Sequence, residues 1–166
     1  MKKLFLFSIL SIFTIGGIHA QGNFEASANV GLIVGDASDF FSFKAGIAVA
    51  YLFEVSDEFQ VGPEIGYDNY FAKDFSAGGI TFKTDDVGVV PILAKAKYSL
   101  SDRINAHVGV GYAVFTGDGD GGEFTWKLGG SYEFTEDWEA GVGYNSINGD
   151  GGEYAAGINM MISATF

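Results

Sequence analysis

From Asn23 onward, apolar residues recur at every second position. That period puts successive side chains on opposite faces of an extended strand, so it commits the chain to β-sheet. In the first run Phe24, Ala26, Ala28, Val30, Leu32 and Val34 share one parity, against Glu25, Ser27, Asn29 and Gly31. The pattern returns over residues 43–53, 59–71, 90–98, 104–114, 124–134, 138–144 and 154–166. In the fourth of these eight runs both parities are apolar at the start, and only Lys95 and Lys97 mark its polar face. The connections alternate in kind. Residues 55–58, 99–102 and 135–137 are short and polar, whereas 35–40, 72–84, 117–122 and 147–152 are richer in Gly and Asp. An even number of antiparallel strands, with short turns at one end and longer loops at the other, predicts an all-β, up-and-down transmembrane barrel of eight strands.

The distribution of side chains between the two faces supports a membrane setting. The polar face is dominated by Gly and Ala with sparse charges, which suits a narrow lumen and not the wet outside of a soluble sheet. The apolar face carries its aromatics at the ends. Phe24, Tyr51, Phe53, Phe59, Tyr98, Tyr132, Phe134, Trp138 and Phe166 fall at the turn end. Phe41, Phe43, Tyr67, Phe71, Tyr112, Phe124, Trp126, Tyr144 and Tyr154 fall at the loop end. Between them lie Ala, Val, Ile and Leu. Two aromatic belts around an aliphatic band are the pattern of two membrane–water interfaces. Pro63 and Pro91 sit inside strands, and a closed barrel has no edge on which to place a missing N–H, so a bulge or a bound water is expected at each.

The first twenty residues read as an address. Lys2 and Lys3 precede an apolar stretch over 4–15, Gly16 and Gly17 break it, and Ala20 offers a small residue for cleavage. This is the layout of a secretory signal peptide, and the apolar run is too short for a membrane helix. The expected division is therefore a signal peptide over 1–20 and a barrel domain over 21–166. Removing the two lysines leaves 9 − 2 = 7 basic residues against 21 acidic ones, a charge of −14. Nucleic acid is excluded as a partner, because its binding depends on neutralising phosphates with Lys and Arg. With no Cys, disulfide scaffolds, Cys-ligated zinc and thiol catalysis are excluded as well.

On these grounds the chain resembles the small eight-stranded outer-membrane barrels of the OmpA/OmpX type. The likeness rests on the final strand Ile158-Asn159-Met160-Met161-Ile162-Ser163-Ala164-Thr165-Phe166, and on Val90-Pro91-Ile92-Leu93-Ala94-Lys95. It implies integral residence in the outer membrane of a Gram-negative-type cell, with both termini periplasmic and the longer loops extracellular. It also implies contact with outer-membrane lipid and lipopolysaccharide, a monomeric state, and assembly by the barrel assembly machinery, which in that family reads a terminal residue such as Phe166. On this reading the barrel is expected to stand without the periplasmic peptidoglycan-binding domain of the longer members of that family.

Parity points a set of polar residues inward: Glu25, Lys44, Glu64, Asp68, Lys95, Lys97, His107, Glu123, Lys127, Glu133 and Glu139, with Asn105, Asn145 and Asn159. An eight-stranded barrel is just wide enough for side chains to fill it, and buried charges require partners. The expected arrangement is a packed polar plug, with Glu64 paired to Lys95 or Lys127. A narrow path for ions or small solutes is the alternative, and a lipid-modifying enzyme a more remote one. His107 invites the enzyme reading, but parity turns it inward and close to a turn, away from any lipid-facing serine. The phrases Gly117-Asp118-Gly119-Asp120-Gly121-Gly122-Glu123 and Asn148-Gly149-Asp150-Gly151-Gly152-Glu153 bring Asp118, Asp120 and Asp150 into consideration as calcium ligands. The full loop spacing is missing, and Asp-Gly is the ordinary hairpin signal. The sequence thus predicts a structural or surface-display protein, adhesion included, with no catalysis, cofactor or metal.

Overall fold

A computed structural model describes residues 22–77, 80–82, 85–116, 121–149 and 152–166 of the chain. The expected signal peptide, with Ala20, and the aspartates Asp118, Asp120 and Asp150 lie outside the described residues. The alternating runs form the strands β1 (Gly22–Val34), β2 (Phe41–Glu54), β3 (Phe59–Ala72), β6 (Val87–Ser101), β7 (Ile104–Thr116), β8 (Gly122–Glu133), β9 (Trp138–Gly149) and β10 (Gly152–Thr165). Two short strands, β4 (Phe75–Ala77) and β5 (Ile80–Phe82), pair only with each other in the connection between β3 and β6. The eight long strands close a barrel in sequence order, and β1 meets β10 antiparallel from Glu25↔Thr165 to Val34↔Ala156. Backbone hydrogen bonds between Phe24 and Phe166, 3.2 and 2.8 Å, extend that seam to the last residue.

The register fixes the barrel's shape. Stepping across paired residues from Gly22 leads through Phe53, Val61, Ala96, Val108, Leu128, Tyr144 and Ile158 to Leu32. One circuit therefore returns to β1 ten residues higher (32 − 22). Ten residues of ~3.3 Å against eight spacings of ~4.8 Å give a strand tilt of about 40°, inside the usual range for barrels. At that tilt each residue climbs ~2.5 Å along the axis, so even the 12-residue strands rise ~30 Å. That matches the thickness of a bilayer's hydrocarbon core.

The wall is apolar and turned outward. Val30, Leu32, Ile47, Val49, Ile65, Ile92, Val108, Val110, Leu128, Val142, Ile158 and Met160 are all exposed. Side chains so placed in water would each cost about 1.5–3 kcal/mol relative to burial, which a lipid surround removes. Followed up the register, Phe24, Phe53, Tyr98, Tyr132 and Trp138 fall in one belt at the turn end, and Phe43, Phe71, Tyr112 and Phe124 in another at the loop end. Phe41 leaves the upper belt. The β2–β3 register shifts between Phe41 and Phe43, which turns Phe41 toward the interior, where it packs edge-on against Tyr70 at 5.9 Å.

Neither proline produces a bulge. Pairing of β2 with β3 skips Tyr51–Pro63 and Leu52–Gly62, then resumes in the same register. Likewise β3 and β6 skip Gly66–Pro91 and Tyr67–Val90 without a shift. Each proline stays paired on its other side, Pro63 with Ala94 and Pro91 with Ala113. The missing N–H therefore costs two rungs on one flank of the strand. The bulges lie elsewhere, at Phe41/Phe43, Ser99/Ser101 and Glu153/Ala155, each at a strand end.

Candidate functional site

Alternation that sends the apolar side chains outward sends the polar ones into the lumen, where they sort by height. Nearest the turn end, Lys97 Nζ lies 3.0 Å from Glu139 and 3.9 Å from both Glu25 and Glu133. Asn105 donates through Nδ2 to Glu133 (2.7 Å) and Glu139 (3.0 Å), and accepts from Ser99 Oγ at 2.9 Å. Ser131 Oγ adds a second donor to Glu139, at 2.8 Å. One strand spacing higher, Lys95 donates to Glu25 and lies 3.5 Å from Glu64. Glu64 in turn accepts from Lys127. The run from Glu133 to Lys127 is thus one connected column, drawn from β1, β3, β6, β7, β8 and β9. Its central members are sealed from solvent, Lys95 to 2% exposure and Glu25 and Glu64 to 3% and 4%. Isolated charges there would cost many kcal/mol, so their pairing is a condition of folding.

A second group stands above. Lys44 donates to Asp68 at 2.9 Å, Asn29 donates to the same carboxylate at 3.1 Å, and Asn159 donates to Asn145 at 2.8 Å. The residues singled out by parity are therefore gathered into two clusters, with two exceptions. Glu123 sits at the loop end of β8, where a Cβ on Gly149 would meet its carboxylate at 3.4 Å, and it takes part in none of these pairs. His107 lies within the column, 4% exposed, opposite Gly129 across the β7–β8 pair. A Cβ at position 129 would overlap its Nε2, so the glycine makes the room for the imidazole. Among the described residues His107 Nδ1 has no hydrogen-bond partner, so those residues form no serine–histidine–acid relay through it.

Between the two clusters lies a cavity of about 80 Å3, lined among others by Asn29, Glu64, His107, Lys127, Asn145 and Asn159. At the roughly 30 Å3 that a water takes up in the liquid, it holds on the order of three waters.

Above the second cluster the lumen changes character. Ile33, Ala37, Tyr70, Val89, Ala113, Ile147 and Ala155 form a buried apolar cluster, with Phe41, Val87 and Phe115 packed against it. Ala37 reaches it from a 3-10 turn at Asp36–Asp39. The sequence signal for this plug was the apolar start of β6 on both parities, with Ile33, Tyr70, Phe115 and Ile147 at inward parity. On a face otherwise marked by its charges, isolated apolar residues such as these carry no signal of their own. Asn105 was likewise visible only as an inward amide, and its place between two carboxylates follows from the β7–β8–β9 register alone.

No protein-family model matches the chain, and no curated protein matches it. Solved structures do. A de novo designed transmembrane β-barrel superposes with a TM-score of 0.56 at 13% identity, over 89% of this chain and 100% of the design. The fold is that of the small outer-membrane barrels. Ail, the attachment invasion locus protein of Yersinia pestis, gives 0.53 at 10% identity over 90% of this chain and 100% of its own, and has also been solved with the heparin analogue sucrose octasulfate. Neisserial surface protein A gives 0.51 at 14% identity over 90% of this chain and 100% of its own.

Proposed function

We propose that this chain is an integral outer-membrane protein that displays its loops at the cell surface, in an adhesion-type role and without catalysis. The observation that carries this reading is the filled lumen. Paired charges occupy its lower part and an apolar plug its top, leaving a wall built for lipid and loops built for contact. The termini would be periplasmic, at the end of the short turns, and the connections after β1, β3, β7 and β9 extracellular. The barrel would be delivered by a signal peptide over 1–20 and assembled by the barrel assembly machinery, with Phe166 as part of its signal. It would stand in lipid and lipopolysaccharide as a monomer.

Charge separates this surface from that of a polyanion binder. The described part of the loop end exposes Asp36, Asp39, Asp74, Asp85 and Asp86 around Lys73. Lys73 is itself engaged, donating to the Ser38 carbonyl at 2.6 Å. A sulfated polysaccharide would meet repulsion here, so the ligand seen on Ail is not expected on this chain.

The test is topology in cells. An epitope placed in the 72–84 connection should be reached by antibody on intact cells, and one placed in the 135–137 turn only after permeabilisation. The reverse pattern, or recovery of the protein in a soluble fraction, would end the reading.

A further inference from the structure

We propose that Arg103, in the turn between β6 and β7, holds the phosphate of one phosphatidylethanolamine molecule at the turn-end membrane face, while Asp102, Glu133 and Glu136 receive its ammonium group. The proposal rests on the outer-membrane reading above and goes beyond it by naming a lipid and the residues that select it.

Arg103 is the only arginine in the chain. Lys44, Lys95, Lys97 and Lys127 are paired inside the lumen, and Lys73 is engaged at the loop end. Among the described residues Arg103 is therefore the one cationic side chain outside the barrel at the turn end. Its depth is set by Tyr132, whose hydroxyl accepts from Arg103 Nη1 at 3.3 Å and whose ring belongs to the turn-end aromatic belt. A guanidinium tied to that belt stands at the level of lipid headgroups. The remaining N–H groups of its planar fork have the geometry that takes a phosphate. Beside it lies a hollow of about 210 Å3, lined by Asp102, Arg103, Glu133, Phe134, Thr135 and Glu136. The two turns that form it are tied together, since the Glu133 N–H donates to the Arg103 carbonyl at 2.8 Å. The second turn is closed by the Phe134 N–H on the Trp138 carbonyl at 3.1 Å and by the Trp138 N–H on Thr135 Oγ1 at 3.0 Å. Yet among the described residues no carboxylate comes within 4.0 Å of the guanidinium. Opposite charges that share a hollow without meeting leave room for a ligand that carries both. Half-exposed Phe134 supplies an apolar ring for the glycerol and first methylenes of such a ligand. The charges also select the headgroup. A lipid whose only charge is its phosphate, such as phosphatidylglycerol, meets repulsion from the carboxylates. A quaternary choline has no N–H for them, whereas a primary ammonium donates charge-assisted hydrogen bonds.

Native mass spectrometry of the folded protein tests this, after extraction from vesicles of phosphatidylcholine with equal minor fractions of phosphatidylethanolamine and phosphatidylglycerol. Folding is checked beforehand by the gel-mobility shift on boiling. The wild type should retain one phosphatidylethanolamine per barrel in preference to the other two lipids. Arg103→Gln should cut that retention about tenfold, the loss expected for a hydrogen bond between charged groups. Glu136→Gln should still retain a lipid but take phosphatidylglycerol as readily. A wild type that retains no phosphatidylethanolamine, or that prefers phosphatidylglycerol, would overturn the proposal without any variant. So would Arg103→Gln retaining the lipid as the wild type does, or Glu136→Gln leaving the preference unchanged. Glycerophosphoethanolamine, which has the same headgroup and no acyl chains, should not displace the lipid. Displacement at equal concentration would assign the hollow to a soluble ligand and overturn the lipid. Failure in vesicles leaves the topology in cells to its own antibody test, and a reversed topology in cells leaves the retention measured in vesicles unchanged.

Discussion

Replacing Glu64 by Gln removes one charge from the centre of the column and leaves two lysines behind. Glu64 takes both Lys127 and Lys95, and of these Lys95 keeps Glu25 whereas Lys127 has no other carboxylate within 4.0 Å among the described residues. Removing one partner of a buried pair costs about 3–5 kcal/mol, because the surviving charge stays in a medium of low polarisability. Lys127 borders the cavity, and water there screens part of that loss, so we place the expected cost at the lower end, ~3 kcal/mol. The double variant Glu64→Gln/Lys127→Gln removes the stranded charge together with its partner. It should regain at least ~1 kcal/mol, since a buried pair taken out whole costs far less than one taken out by half. The assay is reversible urea unfolding in lipid vesicles, followed by tryptophan emission of Trp126 and Trp138. A change below ~0.5 kcal/mol for Glu64→Gln, the level of ordinary surface substitutions, would refute the argument that the column must be paired. A double variant less stable than the single would refute the claim that Lys127 is the stranded partner.

Other consequences follow from the wall. Val108 points outward near mid-height, so Val108→Arg should cost roughly 2–4 kcal/mol of folding free energy in bilayers while Val108→Leu stays near zero, as measured by vesicle refolding. A Cβ at Gly111 would overlap the Ile92 carbonyl oxygen, whereas one at Gly130 meets only the Asn105 carbonyl at 3.5 Å. Gly111→Ala should therefore lose ~1–3 kcal/mol in urea unfolding and Gly130→Ala change little, and equal effects would show that close strand approach at Gly111 is not what demands a glycine.

The legibility of this chain follows from the strictness of a two-residue period. Once Phe24, Ala26 and Ala28 face lipid, Glu25 and Ser27 must face the lumen, and the same reasoning placed Lys95, Lys97 and Glu139 inside. Parity gives a side but not a height, and pairing across the lumen depends on height. Lys44 lies on β2 with Glu64 one strand away on β3, yet the ten-residue stagger lifts Lys44 to Asp68 and hands Glu64 to Lys127 on β8. That stagger depends on how the strands pair around the whole circuit, which no single run encodes. The plug was harder still. Tyr70 and Phe115 share the inward parity with the charges, and an apolar residue on a polar face looks like noise until seven neighbours are seen at the same level. Phe41 shows the opposite failure, since one bulged residue reverses the parity of everything beyond it.

The central claim is a barrel that closes in lipid through β1 and β10 in the register Ala26↔Ala164. Cysteines at those two positions would stand about 4.5–5.5 Å apart between Cα atoms, within reach of a disulfide. Mild oxidation of Ala26→Cys/Ala164→Cys folded into lipid vesicles should give an intramolecular bond in high yield. The offset pair Ala26→Cys/Ile162→Cys should give little, and neither pair should cross-link efficiently in urea. Equal yields from the two pairs, or no bond at Ala26/Ala164 in lipid, would contradict the closed barrel and the register on which the lumen depends.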